Sequence, residues 1–197
     1  MIRSLAFTTQ GRLHSRNIEM FLMPTLLADT NLFLWVDLES PTPEETKFLL
    51  EDVFHFHPLS IEDCVHDSPS PKVEEYVPKE EDRFAPYLFM VIHAVDYSRT
   101  DGVFATSELN FFLGKNFLVT YHDLPLRSIQ STEERCVKGT VHIARAPDRV
   151  AHTLLAILAT SRRRRAGAGR HQFSCRPSSI DGGISLGNQR RAAPDHL

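Results

Sequence analysis

The chain has 197 residues, 42% hydrophobic and 24% charged, enough for one domain that buries a core without disulfides. Three widely spaced cysteines (Cys64, Cys136, Cys175), with no Cys-x-x-Cys pair, argue against a disulfide framework or a zinc ribbon. The net charge of −3 is uneven: residues 160–197 carry eight Arg against two Asp, or +6, leaving an acidic −9 over residues 1–159 that suits cations and disfavours nucleic acid.

The N-terminus has no continuous apolar core and carries Arg3, Arg12 and Arg16, so no signal peptide is expected. The longest apolar stretches, 20–28 and 84–92, fall short of the roughly 18–20 residues a membrane helix needs. In chain order, a strand is expected near 18–23 and a buried strand over 32–38 (LFLWVDL). Ser40-Pro41-Thr42-Pro43 then breaks the chain. Thr42 as N-cap, Pro43 at the first helical position and Glu45 as the second half of a capping box start a helix to about Phe54. Its core face is Phe48, Leu49, Val53 and Phe54. A second helix runs from Pro58 through Val65 and stops before Ser68-Pro69-Ser70-Pro71.

Residues 72–76 read as extended and 77–86 (VPKEEDRFAP) as a charged surface loop. A near-continuous apolar strand follows over 87–95, then a turn over 96–102. The strand 105–113 alternates Leu109, Phe111 and Leu113 with Glu108, Asn110 and Phe112, and Gly114-Lys115-Asn116 turns it into its partner 117–122. Helices are expected at 126–138 and 147–158. Strand, helices, strand meander and helices in this order predict an α/β (α+β) domain over 1–158 with a mixed sheet. Residues 159–197, rich in Arg, Gly and Ser, predict a disordered basic tail.

Five stretches resemble the CorA family of magnesium/cobalt transporters in order and spacing. They are Trp35-Val36-Asp37-Leu38, His57-Pro58-Leu59-Ser60-Ile61-Glu62-Asp63, Pro71-Lys72-Val73-Glu74-Glu75-Tyr76, Tyr87-Leu88-Phe89-Met90-Val91 and Phe112-Leu113-Gly114-Lys115-Asn116-Phe117-Leu118-Val119-Thr120. The resemblance spans about residues 32–158. It implies an α/β/α sandwich around a mixed parallel/antiparallel sheet, placed on the cytoplasmic side of a membrane protein. It also implies a homopentameric transporter of Mg²⁺, with Co²⁺ or Ni²⁺ as further transported ions, rather than an enzyme. The family's stalk helix, membrane helices and Gly-Met-Asn motif have no counterpart here. The resemblance ends after Leu158 in a switch that a truncation or frameshift would produce. On this reading the chain by itself is monomeric, cytoplasmic and unable to transport. Two departures stand out: Ser70 where the family often has Arg, and the 77–86 loop, which looks inserted.

The densest polar cluster is His55, His57, Glu62, Asp63, Cys64, His66 and Asp67. By resemblance, Asp63, with Glu62 beside it, implies a weak regulatory Mg²⁺ site shared between subunits; a hard ion that keeps several waters needs only one or two carboxylates per partner. The plainer reading is that both acids favour the early turns of a helix through its dipole. The stalk carboxylate is missing, and another acid the family often carries would fall at Ala156. His55, His57, Cys64 and His66 leave open a zinc or nickel site in a stand-alone soluble metal-binding or interaction protein; capping and solvated histidines are the alternative. Lys72, Glu74 and Glu75 read as surface charge pairs. Gly114-Lys115-Asn116 lacks the spacing of a phosphate loop. No nucleophile–base arrangement comes with a supporting motif. The arginine run 162–165 reads as an incidental feature of the tail.

Overall fold

The computed structural model describes residues 1–66, 68, 70–94, 107–139 and 142–168, with side chains described as far as residue 160. Its elements are β1 (Ile2–Thr8), β2 (Leu13–Arg16), α1 (Met23–Ala28), β3 (Leu32–Glu39), α2 (Pro43–Thr46), α3 (Pro58–Val65), β4 (Lys72–Tyr76), β5 (Tyr87–Ala94), β6 (Ser107–Gly114), β7 (Phe117–His122), α4 (Arg127–Val137) and α5 (Pro147–Ala168). The sheet has seven strands in the order β2-β1-β3-β7-β6-β5-β4. Among the described strands only the β3–β7 pair is parallel; the others are antiparallel. The sheet is therefore mixed.

The period-2 geometry of the central strands sends alternate residues to two separate cores. From β3, Leu34, Val36 and Leu38 join Phe112, Val119 and Leu49 on one face. Phe33 and Trp35 join Phe111, Leu118, Ile129 and Leu154 on the other. The helices after β3 cover the first face, α4 and α5 the second, giving the expected α/β/α sandwich. Full burial of each large apolar side chain contributes roughly 1.5–3 kcal/mol, and β3 is buried along its length except at Glu39.

The capping box forms as expected: Glu45 N–H donates to Thr42 Oγ1 at 3.2 Å, and Thr42 N–H to Glu45 Oε2 at 2.9 Å. After α2 the helix widens into π-type turns over Lys47–Val53, which bury Leu49, Leu50 and Val53. It ends at Phe54, and His55 takes the left-handed conformation (φ 53°).

Two expectations need correction. Residues 18–23 form no strand but a 3-10 turn, Met20–Leu22, leading into α1, where Pro24 occupies the first helical turn. The Ile18 backbone is satisfied locally instead, its N–H donating to Ser4 Oγ at 2.7 Å. The first strands are β1 and β2. The last helix does not stop at 158: α5 continues to Ala168, across the expected boundary with the tail. Ala and Arg are strong helix formers and propagate it. The rest of the tail, and the turn expected over 96–102, lie outside the described residues.

The β6–β7 hairpin depends on Gly114, where a Cβ would lie 2.3 Å from the buried Phe117 ring. Gly114→Ala is expected to lower stability by about 1–3 kcal/mol through overpacking, read as a lower urea midpoint. Lys115→Ala, in the exposed turn, should stay within about 0.5 kcal/mol of wild type. Equal midpoints for the two variants would contradict this role for Gly114.

Candidate functional site

The placement of Glu62 and Asp63 starts at the head of α3. His57 is its N-cap, with Nδ1 accepting from Leu59 N–H at 3.2 Å, and Pro58 follows. Ser60 Oγ and Tyr87 OH lie 2.7 Å apart, and His57 N–H donates to Tyr87 OH at 3.0 Å, fixing the helix to β5. Cys64 is buried in the core on the inner side of α3. Glu62 is left exposed and Asp63 half-buried.

The two carboxylates meet different neighbours. Asp63 forms an ion pair with Lys72 of β4, which also lies 3.6 Å from Glu74 and 5.6 Å over the Phe89 ring. Burial works against the Lys72 charge, but Asp63 and Glu74 outweigh it and raise the pKa above the usual lysine value. Glu62 instead lines an open groove of about 700 Å³ with Glu51, His55, Ile61 and His66.

Sequence reasoning missed a second polar cluster. Asp37 stands in the apolar run of β3 and is only 3% exposed. In register it lies between Arg3 of β1 and Thr120 of β7. Arg3 donates to Asp37 Oδ2 through Nη2 at 2.7 Å and Nε at 3.1 Å, and to Glu39 Oε2 at 2.6 Å. The Thr120 hydroxyl donates to Asp37 Oδ1 and accepts from Trp35 Nε1 at 3.2 Å. His122 Nε2 lies 3.2 Å from Asp37 Oδ1, while its Nδ1 meets the Leu124 carbonyl at 2.7 Å. Burial alone pushes the Asp37 carboxyl up; the hydrogen bond and charge of His122, the Thr120 hydroxyl and the Arg3 guanidinium outweigh it and hold the carboxyl below its usual range. The available signal was the aspartate itself: a charge in a buried strand requires partners.

Ligand atoms of Asp37, Glu39 and His122 lie within 4.8 Å of one another, a spacing a metal ion could use. The Arg3 guanidinium already supplies the cation, and both Asp37 oxygens are engaged. The cluster is thus a structural tie across β1, β3 and β7. The His55, His57, Cys64 and His66 set, considered as a zinc site, does not gather in this way among the described residues. His57 caps α3, and burial, reinforced by Glu108, Asp123 and Asp63, pushes the Cys64 thiol well up, away from the thiolate that binds metal.

These features define a mixed-sheet α/β/α domain with an acidic helix face, and no described helix is long and apolar enough to cross a membrane. Residues 31–161 match the family described as CorA-like Mg2+ transporter protein, and the chain belongs to that family. It is 31% identical over 156 residues to YfjQ of Bacillus subtilis (strain 168), named as a metal ion transporter, covering 79% of this chain and 43% of YfjQ. The full-length CmaX structure superposes with a TM-score of 0.65 at 15% identity, over 84% of this chain and 47% of CmaX. The soluble domain of CorA from Methanocaldococcus jannaschii gives 0.58 at 14% identity, over 85% and 60%. At such identities the structural likeness is one of fold. The chain spans less than half the length of YfjQ and of CmaX.

Because folding lowers the Asp37 pKa, its contribution to stability is complete above the ordinary carboxylate range near pH 4. It is lost as pH falls through the folded value. Asp37→Asn is expected to cost about 3 kcal/mol at neutral pH and to flatten the loss of stability below about pH 4. Urea unfolding as a function of pH checks both; wild-type stability and acid sensitivity in the variant would exclude the tie.

Proposed function

We propose that this chain is the ion-sensing domain of a CorA-type divalent-cation transporter, placed on the cytoplasmic side, with Asp63 as the responding carboxylate and Glu62 assisting. The observation that carries this reading is the setting of Asp63: half-buried, on an outward face of α3, its only ion pair among the described residues made with the Lys72 ammonium, and not locked into a buried network as Asp37 is. A surface ion pair of this kind is worth little and can be exchanged. Mg²⁺ favours oxygen ligands and retains waters, so Asp63 of one subunit and an acidic group of its neighbour suffice to hold it. The ion would neutralise the repulsion between acidic subunits and clamp them together. Its departure would free them and shift a pore towards opening, since a ligand moves an equilibrium only by its differential affinity for the two states.

The family match and the acidic balance of residues 1–159 support this reading. Transport of Mg²⁺, with Co²⁺ or Ni²⁺ as further cargo, belongs to the complete pentamer, and this chain alone would be monomeric and would not conduct. Too few ligands converge on Asp63 within one chain for tight binding. Mg²⁺ should therefore stabilise the chain only in the millimolar range. Asp63→Ala should abolish the effect, and Lys72→Ala, which frees the carboxylate, should strengthen it. Thermal unfolding across a Mg²⁺ titration measures this. A shift of several degrees at micromolar Mg²⁺, or millimolar stabilisation that survives Asp63→Ala, would refute it.

A further inference from the structure

We infer that three residues of β4, Lys72, Glu74 and Tyr76, set the ion concentration to which Asp63 responds. Lys72 is a tethered competitor for the Asp63 carboxylate. Glu74, oriented by Tyr76, receives the Lys72 ammonium when Asp63 is engaged by a divalent cation. The relay rests on the proposed reading of Asp63 as the sensing carboxylate and adds a threshold to it.

The arrangement follows from strand geometry. Alternate residues of a strand share a face, so Lys72, Glu74 and Tyr76 lie on one side of β4, and Val73 and Glu75 on the other. In register they stand beside Val91, Phe89 and Tyr87 of β5. Those three belong to the core beneath α3, and Tyr76 packs against it. The Lys-x-Glu-x-Tyr row therefore runs along the α3 side of the sheet, with Asp63 at its Lys72 end.

The Lys72 ammonium has more than one partner. It pairs with Asp63, lies 3.6 Å from Glu74 Oε1 and sits 5.6 Å from the centroid of the Phe89 ring. Phe89 is fully buried, so its face is a fixed support. The Tyr76 hydroxyl donates to Glu74 Oε2 at 3.0 Å. The two oxygens of Glu74 thus have separate tasks: Oε2 is held by Tyr76, and Oε1 is the one nearer to Lys72. Tyr76 is itself held, its ring stacked on Tyr87 with centroids 5.0 Å apart and planes 7° apart.

Two acceptors for one ammonium make an exchange. Lysine carries its charge on a flexible four-carbon stem, so it can change acceptor while the backbone stays in place. While Lys72 occupies Asp63, a cation has to displace it. The apparent affinity is then the intrinsic affinity reduced by the fraction of time the carboxylate is free. Glu74 increases that fraction by offering the ammonium a second place, and the Phe89 face adds to its pull. Partly exposed pairs are weak, so neither acceptor locks the lysine.

The test is a Mg²⁺ titration of the full chain, read at the Asp63 carboxyl ¹³C resonance and arranged as a double-mutant cycle. Tyr76→Phe keeps the charge and the stacked ring and removes only the hydroxyl. It should raise the Mg²⁺ midpoint about twofold, and Glu74→Gln about two- to fivefold, the range of an exposed ion pair. Glu75→Gln removes the same charge from the opposite face and should have a smaller effect than Glu74→Gln. In a Lys72→Ala background, Tyr76→Phe should change nothing, and Glu74→Gln should do no more than Glu75→Gln. Equal midpoints for wild type and Tyr76→Phe, or a Tyr76→Phe effect that persists without Lys72, would overturn the relay and leave Asp63 as the sensor. An Asp63 signal that ignores Mg²⁺ in both wild type and Lys72→Ala would overturn both.

Discussion

A carboxylate buried at the centre of a sheet has to be compensated, and Asp37 is compensated from both neighbouring strands. Arg3 reaches it from β1, Thr120 and His122 from β7. Leaving such a charge unpaired would cost several kcal/mol, so these strands can pair stably in only one register. A one-residue slip would take Arg3 and Thr120 to the wrong face and expose the apolar set. The parallel β3–β7 pair, the least local contact in the sheet, is thereby specified by chemistry as well as by hydrophobic pattern. Glu39 adds a second acceptor for Arg3, which makes the guanidinium the hinge pin of the arrangement.

With those strands fixed, the remaining elements follow from where the chain must go. β3 leaves the sheet beside His122, and the capping box turns it at once into the helix that covers one face. That helix and α3 are pinned by their buried residues, Leu49, Leu50 and Cys64, so their polar sides face outward. The acidic and histidine groups of this surface are thus presented by a rigid support, as the ion sensing proposed for Asp63 requires. Asp63 and Glu62 are neighbours in sequence yet serve different environments, because successive helical residues diverge by about 100° around the axis.

Much of this was legible in the sequence. The apolar run of β3, the alternation in β6 with its turn into β7, the Thr42–Glu45 capping box and the Pro58 helix start all rest on local rules, and all formed. β1 escaped notice because Arg3 and Ser4 interrupt its apolar run; later parts of the chain satisfy both, with Arg3 half-buried against Asp37 and Ser4 buried against Ile18. Leu50 was left out of the expected core face, although its spacing from Thr46, Leu49 and Val53 is that of one helical face and all four are buried. Asp37 lay in a recognised motif, but its role requires residues 34 and 83 positions away. The histidines were visible as a cluster; that two of them turn back on their own helical segments was not, His55 Nδ1 lying 2.8 Å from the Glu51 carbonyl oxygen and His66 Nδ1 3.0 Å from that of Glu62.

The central contrast is between Asp63, proposed as an exchangeable carboxylate, and Asp37, a fixed one. A Mg²⁺ titration followed residue by residue through the side-chain carboxyl ¹³C resonances separates them directly. The Asp63 signal should move progressively through the millimolar range, together with backbone signals of α3 and β4, while that of Asp37 stays in place. A stationary Asp63 signal, or a larger response at Asp37, would contradict the account.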